Sequence, residues 1–216
     1  MQGIVVFLGP SLPRDRAIEI LEAEYRPPAR RGDIYRAARD GARVICLIDG
    51  VFFQDCSVAH KEILAAIEMG SKVIGASSMG ALRAAELDVY GMEGVGEIYR
   101  AYRSGELVSD DEVALIFDPV TMEPLSEPLV NIRLNLDLAL QRRIIDSASH
   151  DILLSLARSL YFPERTYERM LEAAAGRIPQ GLLDSLSRFL QEERRDLKME
   201  DAAAALRRAG EIANEG

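Results

Sequence analysis

Three short runs of nearly unbroken apolar residues punctuate the first half of the chain. Ile4-Val5-Val6-Phe7-Leu8 ends at Gly9-Pro10-Ser11, Val44-Ile45-Cys46-Leu47-Ile48 ends at Asp49-Gly50, and Val73-Ile74 ends at Gly75-Ala76-Ser77-Ser78. Runs without polar alternation are the signature of strands buried on both faces of a parallel sheet. Helix-forming stretches separate them over 15–24, 33–40 and 58–69. A fourth strand is expected over Val113-Ala114-Leu115-Ile116-Phe117, after a helix around Gly96 to Tyr102. Strand alternating with helix implies an α/β fold, an open and mostly parallel sheet flanked by helices with right-handed crossovers. Such sheets bind ligands beyond the carboxyl ends of their strands, so the three loops just named should share one rim.

After Asp118 the pattern changes. Pro119, Pro124 and Pro128 mark an irregular connection, and beyond Asn131 apolar residues recur at helical spacing. Leu138, Ile144, Ile145, Leu153, Leu156 and Leu160 form one such series, and Leu182, Leu183, Leu186, Phe189 and Leu190 another. These stripes read as packed core. The expected organisation is an α/β domain over 1–118 and an all-helical C-terminal region over 119–216.

Composition narrows the partners. The chain has 216 residues, 48% hydrophobic and 28% charged, enough for a sizeable core. Its net charge of -9 argues against nucleic acid or a membrane surface as a general partner, since both require a basic face. No apolar run reaches the length of a membrane span. The N-terminal residues show no secretory pattern, so a cytoplasmic location is expected. Cys46 and Cys56 match no zinc spacing, and no metal site is expected. The acidic cluster Asp110-Asp111-Glu112 does not change this, because consecutive carboxylates at a loop junction do not all face one way. No phosphate-binding loop or dinucleotide fingerprint follows the first strand, so no cofactor is implied.

The candidate chemistry lies after the third strand. Ala76, Ser78 and Gly80 give small-x-Ser-x-Gly between an apolar strand and the helix-forming run Ala81-Leu82-Arg83-Ala84-Ala85-Glu86-Leu87. That is close to the strand-turn-helix elbow that exposes a nucleophilic serine. The helix start would offer the Met79 and Gly80 N–H groups to a developing oxyanion. The plain alternative is a helix cap, with Ser77 or Ser78 accepting from first-turn amides. Ser77 is also a rival for the nucleophile.

A serine nucleophile needs a base. His60 and Lys61 open the helix after the second strand and so fall at the same rim. His60 shares a face with Ile63, Leu64 and Ile67; Lys61 lies about 100° further round. Deprotonated lysine is a competent base for serine. Spacing does not choose between the two, and the plain reading of Lys61 is a solvated lysine. Asp49 is suited to orienting a base or to a turn before glycine. Ser11 can cap a helix or present a backbone N–H to an oxyanion. Arg83 can favour an anion or pair with Glu86 in its own helix. His150 reads as a surface or interhelix residue.

At these residues the sequence resembles the TfuA-like family. The resemblance runs through Val6-Phe7-Leu8-Gly9-Pro10-Ser11, Pro27-Pro28 with Arg31-Gly32-Asp33, Ile48-Asp49-Gly50-Val51-Phe52, His60-Lys61-Glu62-Ile63-Leu64, Gly75 to Leu87, Gly91-Met92 with Gly94-Val95-Gly96, and Asp110-Asp111-Glu112-Val113, with a weaker block at Val130-Asn131-Ile132-Arg133. It implies a role in peptide backbone thioamidation, beside a YcaO enzyme that activates the backbone amide of a peptide or protein substrate. It further implies hydrolysis of the thiocarboxylate of a ThiS-type sulfur-carrier protein, which supplies sulfide to YcaO, by a Ser–Lys pair. Carried onto this chain, the pair is Ser78 and Lys61, with Ser11, Asp49, His60, Ser77, Met79, Gly80 and Arg83 around them. The alternative is a non-catalytic adaptor that recruits carrier or peptide to YcaO.

Overall fold

The three apolar runs become neighbouring strands. The computed structural model describes residues 3–52 and 56–215. In chain order it contains β1 (Ile4–Phe7), α1 (Arg14–Ile20), β2 (Glu24–Arg26), α2 (Asp33–Arg39), β3 (Val44–Leu47), α3 (His60–Glu68), β4 (Lys72–Ala76), α4 (Met79–Leu87), β5 (Glu93–Val95) and α5 (Glu97–Ser104). Helices α6 (Leu129–Gln141), α7 (Ser147–Ser159), α8 (Tyr167–Ala174), α9 (Gln180–Glu192) and α10 (Leu197–Glu215) follow. The five strands form one parallel sheet in the order β2-β1-β3-β4-β5. Val6 lies beside Cys46, Cys46 beside Ile74, and Gly75 beside Gly94. The expected class, a parallel α/β sheet followed by a long helical stretch, is what the chain adopts.

Both sheet faces are apolar, as the unbroken runs require. Val5, Phe7, Ile45, Leu47 and Val73 share one core with Ile34 and Ala37 of α2 and with Ile63 and Ala66 of α3. Ile4, Val6, Val44, Cys46, Ile48 and Ile74 share the other with Ala17 of α1 and with Ala202, Ala205, Leu206 and Ala209 of α10. Burying one such strand residue stabilises the fold by about 1.5–3 kcal/mol. Burial also pushes the Cys46 thiol up to about 12, which makes it a packing group rather than a nucleophile.

The strand expected over Val113–Phe117 does not form. The strand after α4 is instead Glu93-Gly94-Val95, beside β4, which the apolar pattern does not mark because it is short and polar at one end. Among the described residues Val113–Phe117 has no strand neighbour beyond a single bridge between Phe117 and Pro124. Its backbone bonds are spent locally instead: Ile116 N–H donates to Ser126 Oγ, and Leu125 N–H to Ile116 O. β2 is also absent from the hydropathy pattern. The helix expected to reach Glu24 stops at Ile20, where the chain turns out into this edge strand.

The chain divides into two compact units, 1–110 with 198–216, and 111–197. The sequence pattern places a single boundary at 118; the units are separated at two places, because α10 belongs with the sheet. In the helical unit Leu136, Leu153, Met170, Leu186 and Phe189 form the core. Its polar centre is Asn135, whose side chain bonds Asn131 O, Tyr167 Oη and both backbone groups of Arg195. Arg165 is fully buried and holds Asp111 at 2.7 Å, while Arg133 holds Glu112 at 2.6 Å. Asp111 and Glu112 of the acidic cluster are therefore built into arginine pairs.

Candidate active site

The elbow after β4 is a strained turn. Ser78 N–H folds back onto Ala76 O at 2.7 Å, and Ser77 between them has φ 66°. A hydrogen bond across three residues with positive φ at the centre is the rare γ-turn, which costs a non-glycine residue about 1–3 kcal/mol. Helix α4 begins at once. Its Ser78 carbonyl accepts from Ala81 and Leu82 N–H. Gly80 N–H donates to Ile48 O of the neighbouring strand end at 3.2 Å. A Cβ on Gly80 would overlap Leu47 O, and one on Gly75 would overlap Gly80 O. The two glycines let the helix start press directly on β3 and β4.

The two serines have different fates. Ser77 is fully buried, and its Oγ donates to Lys198 O of α10 at 2.8 Å. Ser78 sits at the cap position of α4 and is 2% exposed, yet its side chain makes no cap hydrogen bond. The cap reading of Ser78 therefore has no bond to support it. Among the described residues neither Ser78 Oγ nor the adjacent Met79 N–H has a hydrogen-bond partner.

The other rim groups are largely committed to one another. Asp49, 3% exposed, accepts from Gly9 N–H at 2.9 Å, Ser11 N–H at 3.1 Å and Ser11 Oγ at 2.7 Å. This ties the loop after β1 to the loop after β3, across the point where the strand order reverses. It also withdraws the loop's amides from service to an oxyanion, since Pro10 has no N–H. Arg83 Nε donates to Val58 O at 2.9 Å and its Nη1 reaches Glu86 at 2.7 Å. His60 Nε2 lies 2.7 Å from the same Glu86 oxygen. Arg83, Glu86 and His60 thus lock the start of α3 to α4. Lys61 is exposed in the first turn of α3 and makes no hydrogen bond or ion pair among the described residues. Ser78 and Lys61 fall at the carboxyl ends of adjacent strands, but no hydrogen bond joins them.

Two carboxylates that sequence reasoning did not single out hold this rim. Glu62 is 8% exposed and accepts from Gly32 N–H at 2.8 Å, Ile34 N–H at 3.2 Å and Ala59 N–H at 2.7 Å, satisfying the starts of α2 and α3 together. A glutamate three residues into a helix is half of a capping box, but Ala59 lacks the other half, which hides the signal. Asp201 of α10 accepts from Glu97 N–H at 2.9 Å and Ile98 N–H at 2.8 Å. Burial first of all pushes its carboxyl up to about 6. Nothing in the local sequence announces this role, because its partners lie more than a hundred residues earlier.

The arrangement presents an uncommitted hydroxyl and a free N–H at the positive end of a helix. That combination suits nucleophilic attack on an acyl group with an anionic oxygen or sulfur. No described helix is long and apolar enough to cross a membrane, and no group of His, Cys, Asp and Glu among the described residues is placed to hold a metal. A sequence-family model, TfuA-like protein, matches residues 49–166. It takes in the Asp49 turn, α3, the elbow and the first part of the helical unit, and begins after the β1 loop. Among curated proteins none matches.

Proposed function

Because the chain belongs to the TfuA-like family, we propose that it is the sulfide-releasing hydrolase of a backbone thioamidation system. Its substrate is the C-terminal thiocarboxylate of a ThiS-type carrier protein, and its sulfide serves a YcaO enzyme acting on a peptide or protein. The observation that carries this reading is the uncommitted Ser78 hydroxyl beside the unpaired Met79 N–H, at the start of α4.

In the reaction, the anionic thiocarboxylate docks at the α4 N-terminus. Lys61 in its neutral form takes the Ser78 proton. The exposed position of Lys61 leaves its side chain free to swing to the elbow once a carrier tail covers the rim. A new Oγ–C bond forms while Met79 N–H holds the developing charge. The C–S bond then breaks and hydrosulfide leaves with the proton from Lys61. Water hydrolyses the resulting ester, returning a carboxylate on the carrier and a free serine. The net change is thiocarboxylate plus water to carboxylate plus hydrogen sulfide. Asp49, Ser11, His60 and Arg83 do not act on the substrate in this scheme; they fix the loops and helices around it.

The test is sulfide release from thiocarboxylated carrier by the purified chain without YcaO. Ser78→Ala is expected to lower release by roughly 1000-fold or more with the fold intact. Lys61→Ala is expected to lower it by roughly 100-fold or more. Undiminished release by Ser78→Ala would overturn the serine route. A wild-type chain that releases nothing alone, yet raises thioamidation by YcaO, would establish the adaptor role instead.

A further inference from the structure

Helix α10 returns from the far end of the chain and makes two anchoring contacts, one to the serine elbow and one to the start of α5. Lys198 O accepts from Ser77 Oγ at 2.8 Å. One turn on, Asp201 accepts from Glu97 N–H and Ile98 N–H, the first amides of α5 behind β5. Gly96, at φ 99°, leaves no room for a side chain of its own there; a Cβ would overlap the Asp201 carboxylate. An N-terminal helix amide left without an acceptor is unfavourable, so α5 relies on Asp201 from another element. The consequence for α10 is that its first turn is pinned to the elbow after β4 and to the start of α5.

We propose that Asp201 is a positioning residue for the nucleophile, anchoring α10 so that the Lys198 carbonyl holds Ser77 in its strained turn and fixes the Ser78 hydroxyl. This rests on the hydrolase reading above and adds to it. The chain of contacts runs Asp201, α10 first turn, Lys198 O, Ser77 Oγ, Ser78. A residue held at φ 66° reverts toward ordinary backbone unless its surroundings over-determine it. Among the described residues the only side-chain bond on that residue is the one to α10. The charged groups of α5 that act on Asp201 are Glu97 and Arg100. An ionised Asp201 accepts both amides, whereas a protonated one carries a donor that cannot face an N–H. Burial raises this carboxyl to about 6, which places that change at about pH 6.

Asp201→Asn, Ser77→Ala and the double variant, each in the full chain, provide the test. Two readouts are taken: sulfide release from thiocarboxylated carrier, and hydrogen exchange of the amides over 76–82 without substrate. Each single variant is expected to lower kcat about tenfold with KM unchanged, and to speed exchange at the elbow. The double variant is expected to be no worse than about tenfold, because both substitutions cut one path. Wild-type turnover is expected to rise through about pH 6, and this step should be missing from Asp201→Asn. A folded Asp201→Asn with wild-type exchange at the elbow overturns the proposal, as does a double variant lowered about a hundredfold, the product of independent effects. Should Asp201→Asn fail to fold, Ser77→Ala decides alone: wild-type elbow exchange and wild-type kcat overturn the link to α10. Undiminished release by Ser78→Ala would sink the hydrolase reading instead, and the exchange measurement would still report on α10 and the elbow.

Discussion

Ser78 is kept available by what its neighbours do rather than by anything it does itself. Ser77 takes the strained backbone and the bond to α10, Gly80 takes the close approach to β3, and the hydroxyl between them is left uncommitted. Gly80 is the most exacting of these positions. Any side chain there would meet the Leu47 carbonyl, which belongs to the sheet backbone and cannot give way. Gly80→Ala is therefore expected to destabilise the α/β unit by about 3 kcal/mol, the upper end for forcing atoms into a packed site. Its melting temperature should fall by roughly 6–12 °C, read by calorimetry. The same shift would move Met79 N–H and Ser78, so activity should fall further than the lost stability explains.

At the scale of elements, the rim is assembled from helix starts that borrow their caps. Glu62 serves α2 and α3, and Asp201 serves α5. Borrowed caps couple helices that are distant in sequence, and a buried one makes the coupling depend on pH. Asp201 titrates at about 6 in the folded chain against 3.8 for an ordinary aspartate. The folded state thus holds this proton more tightly than the unfolded state. The corresponding stability is fully present below about pH 4 and is lost as pH rises through about 6, to the extent of about 3 kcal/mol. This is the reverse of the usual carboxylate behaviour. Unfolding free energies of wild type and Asp201→Asn, measured from pH 4 to 7.5 by denaturant, should differ with that sign. Relative to wild type, the variant gains as pH rises.

For the whole molecule, the sheet depends on the last helix. One face of β1, β3 and β4 is covered by Ala202, Ala205, Leu206 and Ala209. A chain ending at Leu197 would leave those strands with an apolar face in water. Hydrogen exchange of strand amides in that truncated chain should speed up by roughly 1000-fold or more, since burial of one leucine in a core is worth about 2–5 kcal/mol. Protection retained at wild-type level would show that the sheet stands without α10. The same helix that closes the core carries Lys198 to the elbow and Asp201 to the start of α5.

The sequence by itself determined the parallel sheet and the elbow. Ile4–Leu8, Val44–Ile48 and Val73–Ile74 are apolar at every position, and only strands covered on both faces suit them; Ala76, Ser78 and Gly80 are the small residues a sharp strand-to-helix turn demands. These are local signals, written in consecutive residues. β2 and β5 were not legible, because three-residue edge strands with charged positions carry no periodicity. Nor was the failure of Val113–Phe117 to join the sheet, since an apolar run specifies burial and not the neighbour that supplies it. Tertiary structure alone decided that Asp49 binds the loop of Ser11, that His60 joins the Arg83–Glu86 pair from another helix, and that α10 folds back to hold Ser77. Each of these is a long-range hydrogen bond between single polar residues, and such a bond leaves no repeating mark along the chain.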